Sequence, residues 1–393
     1  MTPKRIAIIG CGGRGAPLIA RLLRMQPPVE LAAIVDPDEA SVRTRLKDVD
    51  LAGVTFYPDH RALLERADEL DGVMICTRCH LHTPIAVDFA PTGLPLFLEK
   101  PVSISRDQLA ALRTAYRGRE DSVVVSFPLR LAPVFVKAME IIGSGRLGTV
   151  CQVQALTNVT YGGHYFGGHY RNYDESGGLW LQKATHDFDY FNILMGCAPT
   201  RIAATSTRLI FGGDKPFDLQ CTKCDETETC MESPANLELR GDGGGGMQWD
   251  AINPDVRFDH WCAFSKGIRN QDCGSAIVQY ENGAHVSYSQ NFVVRCAAGK
   301  RGATVIGYKG TLSFDFDGNL RVVEHHRDCV EEMHISEDDT HAGGDPKLLR
   351  AFMDVICGVA PSSSPLSSGT LSAEMSFAAR ESDETNAFVE ISV

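Results

Sequence analysis

The chain has 393 residues, more than one hydrophobic core normally supports, which indicates about two domains. Hydrophobic residues make up 44% and charged residues 22%, proportions that exclude global disorder. The formal net charge of −12 argues against nucleic acid or an anionic membrane as the main partner. No apolar run reaches the ~20 residues of a membrane helix, and the N-terminus does not resemble a signal peptide, so we expect a cytoplasmic protein.

The first predicted elements are a strand, a glycine-rich turn and a helix. Residues 5–9 are apolar and β-branched, and residues 16–25 carry apolar side chains on one helical face. The glycines between them match the G-x-G-x-x-G spacing of a dinucleotide-binding turn, where side chains would block a pyrophosphate from the helix N-terminus. The predicted cofactor residues of this turn are Gly10, Gly12, Gly13, Arg14 and Gly15.

A second predicted strand, residues 29–35, ends at Asp36. An acidic residue about 20 positions after such a turn typically binds the ribose hydroxyls of the adenosine. Its charge would repel a 2′-phosphate, so the sequence favours NAD over NADP. Arg43 and Arg45 follow closely in sequence and leave NADP possible.

Strands and helices continue to alternate after this point. The predicted strands cover residues 54–57, 71–76, 96–99 and 123–127, and predicted helices include residues 60–67 and 83–90. Alternation of this kind predicts an α/β Rossmann domain with a doubly wound parallel sheet. Because ligands bind at the carboxyl ends of such strands, further cofactor residues are predicted there. They are Cys76, Thr77, His82, Glu99 and Lys100.

The second half of the chain has a different pattern, with many strands and few helices. Predicted strands cover residues 149–157, 200–210, 275–280, 284–292, 303–308 and 311–316. Asn282 and Gly283 predict a hairpin connection between two of them. The pattern indicates an α+β domain with a large, mostly antiparallel sheet. One face of such a sheet needs a cover, so we expect a homodimer or homotetramer.

A cluster of cysteines lies within residues 211–273 of the second half. Cys221 and Cys224 form a C-x₂-C pair, and Cys230 and Cys262 follow. Thiolates at this spacing are typical of a closed, tetrahedral structural Zn²⁺ site. Cys273 competes with Cys262 as fourth ligand, and unligated or oxidised thiols are the alternative to zinc.

With these motifs the chain resembles the glucose–fructose oxidoreductase and inositol dehydrogenase family. The resemblance rests on the glycine turn, Asp36, residues 77–82, the Glu-Lys-Pro of residues 99–101, residues 127–150, and the helix around His186. It implies a dinucleotide-binding Rossmann domain followed by a substrate-binding and oligomerisation domain. We place these domains at residues 1–126 and 127–393.

The family's reaction is hydride transfer between a nicotinamide and a carbon of a sugar or cyclitol. By resemblance, Lys100 and His186 are the acid–base residues. Many members carry aspartate where this chain has Gln182, and Lys183 is expected to compensate as a second positive group. The segment resembles a branch of the family with a lysine there and a cysteine cluster. The predicted substrate residues are His164, His169, Tyr173, Gln182 and His341.

Three functions are compatible with these residues. The leading interpretation is an NAD(P)-dependent oxidoreductase acting on a secondary alcohol of a sugar, sugar derivative, glycoside or cyclitol. The second is a glycosidase, lyase or epimerase that oxidises the sugar transiently and returns the hydride. The third is a non-catalytic sensor of cofactor or metabolite, against which the presence of both Lys100 and His186 argues.

Overall fold

The computed structural model describes residues 2–25, 28–233, 236, 260–335 and 340–392. The chain forms two compact units. The first combines Met1–Leu131 with Asp339–Glu374, and the second combines Ala132–Asp338 with Met375–Val393. Within the described ranges, no helix is both long and apolar enough to cross a membrane.

The strands and helices of the described ranges have the following bounds. The strands are β1 (Lys4–Ile9), β2 (Val29–Val35), β3 (Thr55–Tyr57), β4 (Gly72–Ile75), β5 (Leu96–Leu98), β6 (Val123–Val125), β7 (Val150–Asn158), β8 (Pro199–Thr207), β9 (Cys273–Tyr280), β10 (His285–Asn291), β11 (Lys300–Gly307), β12 (Gly310–Asp315), β13 (Asn319–Glu324), β14 (Cys329–His334) and β15 (Val389–Glu390). The α-helices are α1 (Gly15–Leu22), α2 (Glu39–Arg45), α3 (His60–Leu64), α4 (Cys79–Phe89), α5 (Arg106–Ala115), α6 (Pro133–Gly143), α7 (His164–Gly167), α8 (Tyr173–Ser176), α9 (Thr185–Met195), α10 (Gly344–Ile356) and α11 (Leu366–Thr385).

The first unit contains a six-stranded parallel sheet in the order β3-β2-β1-β4-β5-β6. This is the doubly wound order, and it confirms the predicted Rossmann fold. The middle strands are buried on both faces, as their continuous apolar sequences require. Ile9 pairs with Val35 on one side and with Ile75 on the other. The strands therefore end together, and the residues after them meet at one edge.

Helix α10 packs on this sheet, although it follows in sequence after most of the second unit. The rings of Phe97 and Phe352 meet edge to face at 5.8 Å. A Cβ atom on Gly72 would lie 2.8 Å from the Ile356 side chain. The close packing makes α10 part of the hydrophobic core of the first unit.

The second unit contains a nine-stranded sheet in the order β14-β13-β12-β11-β7-β10-β9-β8-β15. All neighbouring strands are antiparallel except β7 and β10, which confirms the predicted mostly antiparallel sheet. Along β9 the side chains alternate: Val278 is buried, whereas the neighbouring Ile277 is 45% exposed. Gly283 has φ +83° in the predicted hairpin connection, the conformation for which glycine is suited.

Candidate functional site

The glycine turn after β1 has the shape that a dinucleotide requires. Gly10 has φ +83°, and a Cβ atom there would lie 2.8 Å from the backbone of Cys76. A Cβ on Gly15 would lie 2.3 Å from the carbonyl oxygen of Gly10. At Gly12, by contrast, a Cβ would meet no protein atom within 4 Å, so the backbone faces open space. The turn is thus tight on the protein side and open where a pyrophosphate would approach.

Asp36 is fixed directly beside this turn. Its Oδ2 accepts a hydrogen bond from the backbone N–H of Cys11 at 2.9 Å, and its Oδ1 accepts one from Asp38 N–H at 3.0 Å. Burial, followed by the charge of Asp36, raises the pKa of the Cys11 thiol to about 12. The nearby Arg43 pairs with Glu39 at 2.7 Å. Residues that could bind an adenosine ribose are therefore present at the carboxyl end of β2.

Arg14 links the glycine turn to two buried carboxylates. Its Nε donates to Glu99 at 2.8 Å, and its terminal nitrogens donate to Asp345 at 2.7 and 2.8 Å. Ser126 Oγ also donates to Glu99, at 2.7 Å. Burial alone would raise the pKa of Glu99, but the positive charges of Arg14 and Lys100 lower it below its usual range. The side chain of Arg14 therefore binds carboxylates, which leaves its backbone as the part that could face a cofactor.

Asp345 is a residue whose pairing the sequence did not predict. It lies 331 positions from Arg14 and is 1% exposed. His341, predicted as a substrate residue, places its Nδ1 3.0 Å from Asp345 Oδ2. Burial lowers the pKa of His341, and Arg14 acts in the same direction. His341 and Ala342 both have positive φ, +51° and +52°, a strained conformation that is found most often at functional sites.

The loops after β4 and β5 are joined by His82. Its two ring nitrogens lie 2.8 Å from the carbonyl oxygen of Pro101 and 3.0 Å from that of Thr77. Burial lowers the pKa of His82 and raises that of the buried Cys76 thiol well above its usual range. Lys100 follows β5 and is partly exposed. The predicted cofactor residues of this edge thus divide into three buried residues, Cys76, His82 and Glu99, and two that are partly exposed, Thr77 and Lys100.

The segment around His186 begins with a π-helical turn, Trp180–Ala184, which leads into α9. Here the expectation of one continuous α-helix was wrong. The i→i+5 bonds of a π turn displace the side chains before Thr185 from α-helical spacing. Gln182, Lys183 and His186 are all buried, with 4–5% of each residue exposed.

Lys183 has a specific partner that the sequence did not predict. Its Nζ donates to the hydroxyl of Tyr161 at 2.6 Å. Burial lowers the pKa of Lys183, and the positive charge of Arg301 acts in the same direction, while Tyr161 and Asp187 oppose them. Tyr161 and Lys183 are 22 positions apart, and no periodic pattern in the sequence indicates that two such residues are in contact.

Asp187, directly after His186, accepts hydrogen bonds from three elements of the second unit. The donors are Thr157 at 3.2 Å, Tyr288 at 2.8 Å, and Arg301, whose guanidinium lies 2.8–2.9 Å away. The Asp187 side chain is completely buried. This network fixes the first turn of α9, and with it the backbone of His186.

The aromatic loop after β7 contains the remaining predicted substrate residues. The rings of His164 and His169 lie 5.9 Å apart, so the fold brings these two together. Burial, together with His260, lowers the pKa of His164 to about 4, whereas His169 is exposed. The ring of Tyr173 lies 4.3 Å beneath the guanidinium of Arg269.

The predicted metal ligands line one cavity, together with Lys215 and Glu226. They are Cys221, Cys224, Cys230 and Cys262. Cys273 lies in β9, where its Sγ accepts a hydrogen bond from Asn291 at 3.0 Å, and it does not line the cavity. None of the 13 cysteines, all of which lie in the described ranges, forms a disulfide bond.

The structural zinc site that the sequence suggests stays a prediction. In the part of the chain that the structure describes, no three His, Cys, Asp or Glu side chains are arranged to hold a metal ion. Cys221 and Cys224 share one short turn, Cys230 follows six residues later, and Cys262 reaches the same cavity from a distant part of the chain. Burial raises the pKa of Cys262, which favours the protonated thiol over the thiolate that a metal binds.

Comparison with known proteins identifies the class. A family model described as the oxidoreductase family with an NAD-binding Rossmann fold matches residues 4–127. A second, the GFO/IDH/MocA C-terminal domain, matches residues 135–313. The chain belongs to the GFO/IDH/MocA oxidoreductase family. It is an NAD(P)-dependent dehydrogenase or reductase that acts on CH–OH groups.

Several relatives are similar over different shares of the chain. YteT of Bacillus subtilis (strain 168), named as an oxidoreductase, is 25% identical over 381 residues, 88% of this chain and 87% of its own length. Inositol 2-dehydrogenase of Rhizobium meliloti (strain 1021) is 29% identical over 153 residues, 37% of this chain and 43% of its own. The structure of a levoglucosan dehydrogenase with NADH and levoglucosan covers both chains completely, with a TM-score of 0.74 and 16% identity, and shows the shared fold.

Proposed function

We propose that the protein transfers a hydride between a nicotinamide cofactor and a secondary alcohol carbon of a sugar, sugar derivative, glycoside or cyclitol. The observation that carries this proposal is Lys100, partly exposed at the carboxyl edge of the parallel sheet and next to the fixed carboxylate of Glu99. Relatives named for inositol and levoglucosan support the substrate class.

The chain's residues would divide the work as follows. A bound nicotinamide supplies the hydride acceptor or donor. Lys100 would hydrogen-bond the reacting oxygen, and His186, held by the network of Asp187, would exchange its proton. Substrate hydroxyls would be bound by the predicted substrate residues. These are His164, His169, Tyr173, Gln182 and His341.

NAD is the proposed cofactor in preference to NADP. Asp36 is fixed by two backbone N–H groups and would repel a 2′-phosphate. Arg43, one of the two cations that left NADP open, already pairs with Glu39 and lies 4.4 Å from the Phe56 ring centroid. The phosphates would lie on the turn of residues 10–15.

The organisation around this reaction is proposed as well. Residues 1–126 would bind the dinucleotide, and residues 127–393 would bind substrate and form a homodimer or homotetramer. A cytoplasmic location stays a prediction from the sequence.

The experiment is a panel of sugars, glycosides and inositols, each incubated with NAD⁺ or NADP⁺ while the absorbance of reduced nicotinamide is followed. Appearance of that band with at least one substrate, faster with NAD⁺, is the expected result. If the protein binds NAD⁺ but no substrate in the panel leads to reduced cofactor, net oxidation of the substrate is contradicted. Product analysis then tests the second candidate, a redox-neutral lyase, epimerase or glycosidase. This candidate is favoured by Gln182, which stands where many family members have a carboxylate.

We also propose that the four-cysteine cavity binds a structural Zn²⁺, which would draw the thiols together. Four cysteine side chains lining one cavity support this, and the metal–thiolate bonds would offset the cost of rearranging and deprotonating the thiols. Metal analysis of freshly purified protein is expected to give about one zinc per chain, a stoichiometry typical of a closed four-cysteine site. In Cys221→Ser that zinc should be lost while nucleotide binding stays intact. Wild-type protein without zinc ends this proposal.

A further inference from the structure

We propose that Tyr161, in place of His186, exchanges a proton with the substrate oxygen and that Lys183 positions Tyr161 and stabilises its anionic form. This inference rests on the proposed function and concerns the substrate side of that reaction. Its starting observation is the 2.6 Å hydrogen bond from Lys183 Nζ to the Tyr161 hydroxyl. The ammonium also lies 4.9 Å from the centroid of the Tyr161 ring.

The location of Lys183 is unusual for a lysine. It is 5% exposed and lies in the π turn that precedes α9. A buried ammonium is unfavourable unless it has polar partners, and π turns are frequent at functional sites. The hydrogen bond to Tyr161 supplies one such partner and so offsets part of the free-energy cost of burying this charge.

The hydroxyl of Tyr161 is surrounded by groups that favour a phenolate. Lys183 donates from one side, and Tyr165 is hydrogen-bonded to Tyr161 from another. Burial raises the pKa of Tyr165 well above its usual range, so Tyr165 keeps its proton and can act as donor. Arg301 on β11 is close enough that Tyr161 contributes to the raised pKa of its guanidinium. Charge-assisted hydrogen bonds of this kind stabilise an anion.

Tyr161 also differs from its partners in access to solvent. Lys183 and Tyr165 are buried, whereas Tyr161 is partly exposed. A partly exposed tyrosine held by buried donors is the member of this group that a ligand could reach from solvent. Gln182, next to Lys183, cannot exchange a proton because its side-chain amide does not titrate near neutral pH.

In alcohol oxidation, the proton of the substrate hydroxyl passes to the phenolate oxygen of Tyr161, and a phenol O–H bond forms. The alcohol carbon loses its hydride to the cofactor as the C=O bond forms. In carbonyl reduction, the phenol returns the proton to the carbonyl oxygen. Lys183 donates a hydrogen bond in both states and neither gains nor loses a proton.

The kinetic test uses Tyr161→Phe, which keeps the ring and removes the hydroxyl. We expect kcat to fall by about 10²-fold or more, the scale of general acid–base catalysis, with little change in KM or NAD⁺ binding. Tyr170→Phe is the matched control in the same loop and should retain kcat. Full kcat in Tyr161→Phe, measured against an active wild type, overturns the inference and leaves the proposed function intact.

A second readout does not depend on turnover. The ultraviolet absorbance of tyrosinate is followed during pH titrations of the wild type, Tyr161→Phe, Lys183→Met and the double variant that combines both substitutions. The signal that Tyr161→Phe removes should move to higher pH in Lys183→Met, because the ammonium no longer stabilises the phenolate. An unchanged titration overturns the role of Lys183. If the wild type turns over no alcohol while this shift is present, the proposed function fails and proton exchange with an alcohol fails with it.

Discussion

Replacing Asp345 with asparagine tests the ion pairs that join the glycine turn to α10. In the wild type, the Asp345 carboxylate accepts two hydrogen bonds from Arg14 at 2.7 and 2.8 Å and lies 3.0 Å from His341 Nδ1. The substitution keeps the shape of the side chain and removes its charge. Any effect therefore reports the electrostatic contribution of Asp345.

The expected magnitude follows from burial and from the second carboxylate. The Asp345 side chain is 2% exposed, and that of Arg14 is 21% exposed. Removing one partner of a buried pair typically costs about 3–5 kcal/mol of unfolding free energy. Arg14 would still be paired with Glu99 at 2.8 Å, so its charge stays partly compensated. We therefore expect a loss of about 2–3 kcal/mol.

The loss should also depend on pH. Arg14 and His341 offset the effect of burial and lower the pKa of Asp345 far below its usual value. A carboxylate with a lowered pKa in the folded state stabilises the fold above its unfolded pKa, about 4. The difference in unfolding free energy between the wild type and Asp345→Asn should therefore have its full size at pH 7 and decrease as the pH falls below about 4.

The assay is urea unfolding followed by far-ultraviolet circular dichroism, because all three tryptophans fall in the second unit or in residues 234–259. The matched control is Glu140→Gln, which removes an ion pair of similar length, 2.8 Å to Lys137, whose side chains are 41% and 59% exposed. The control should lose less than about 0.5 kcal/mol because solvent screens exposed pairs. An equally small loss in Asp345→Asn would refute the argument from burial.

Further outcomes follow from the same structure. Lys100→Ala should lower turnover by about 10²-fold or more with NAD⁺ affinity nearly unchanged, and unchanged turnover in steady-state kinetics would remove Lys100 from the mechanism. Asp36→Ser should raise kcat/KM with NADP⁺ relative to NAD⁺ by about 10-fold or more, since it removes a carboxylate near the 2′-position, and a constant ratio would contradict the role of Asp36. Burial and His260 lower the pKa of His164 to about 4, so the unfolded chain binds protons first and stability should fall as the pH drops from about 6.5 towards 4. That decrease should be smaller in His164→Gln when thermal unfolding is measured across this range.

The parts of the fold that sequence reasoning predicted are those with a local signal. The glycine turn, the buried strands of the parallel sheet and the Asn282–Gly283 hairpin each depend on residues that are neighbours in the chain. Strand β13 and the edge strand β14 beside it were not predicted. Glu331 and Glu332 are exposed in the middle of β14, and charged residues of this kind protect an edge strand while hiding its alternation.

The candidate site likewise contains some residues that have a local sequence signal and others that have none. Motifs in the sequence identified Lys100, His186 and Lys183. The partners that hold Lys183 depend on tertiary structure. Tyr161 meets Lys183 across 22 positions, and Arg14 meets Asp345 across 331. No periodicity connects such residues. The π turn was also missed, because its apolar and polar residues fit an α-helix equally well and only the hydrogen-bond pattern separates the two.

The most direct test of the central claim is the fate of the hydrogen on the alcohol carbon. A responsive substrate from the panel is prepared with deuterium at that carbon and incubated with NAD⁺ and the enzyme, and the recovered cofactor is analysed by mass spectrometry. The account predicts reduced cofactor that carries the deuterium, formed by the wild type and strongly diminished in Lys100→Ala. Product formation with no deuterium in the cofactor would contradict hydride transfer to the nicotinamide and with it the proposed function.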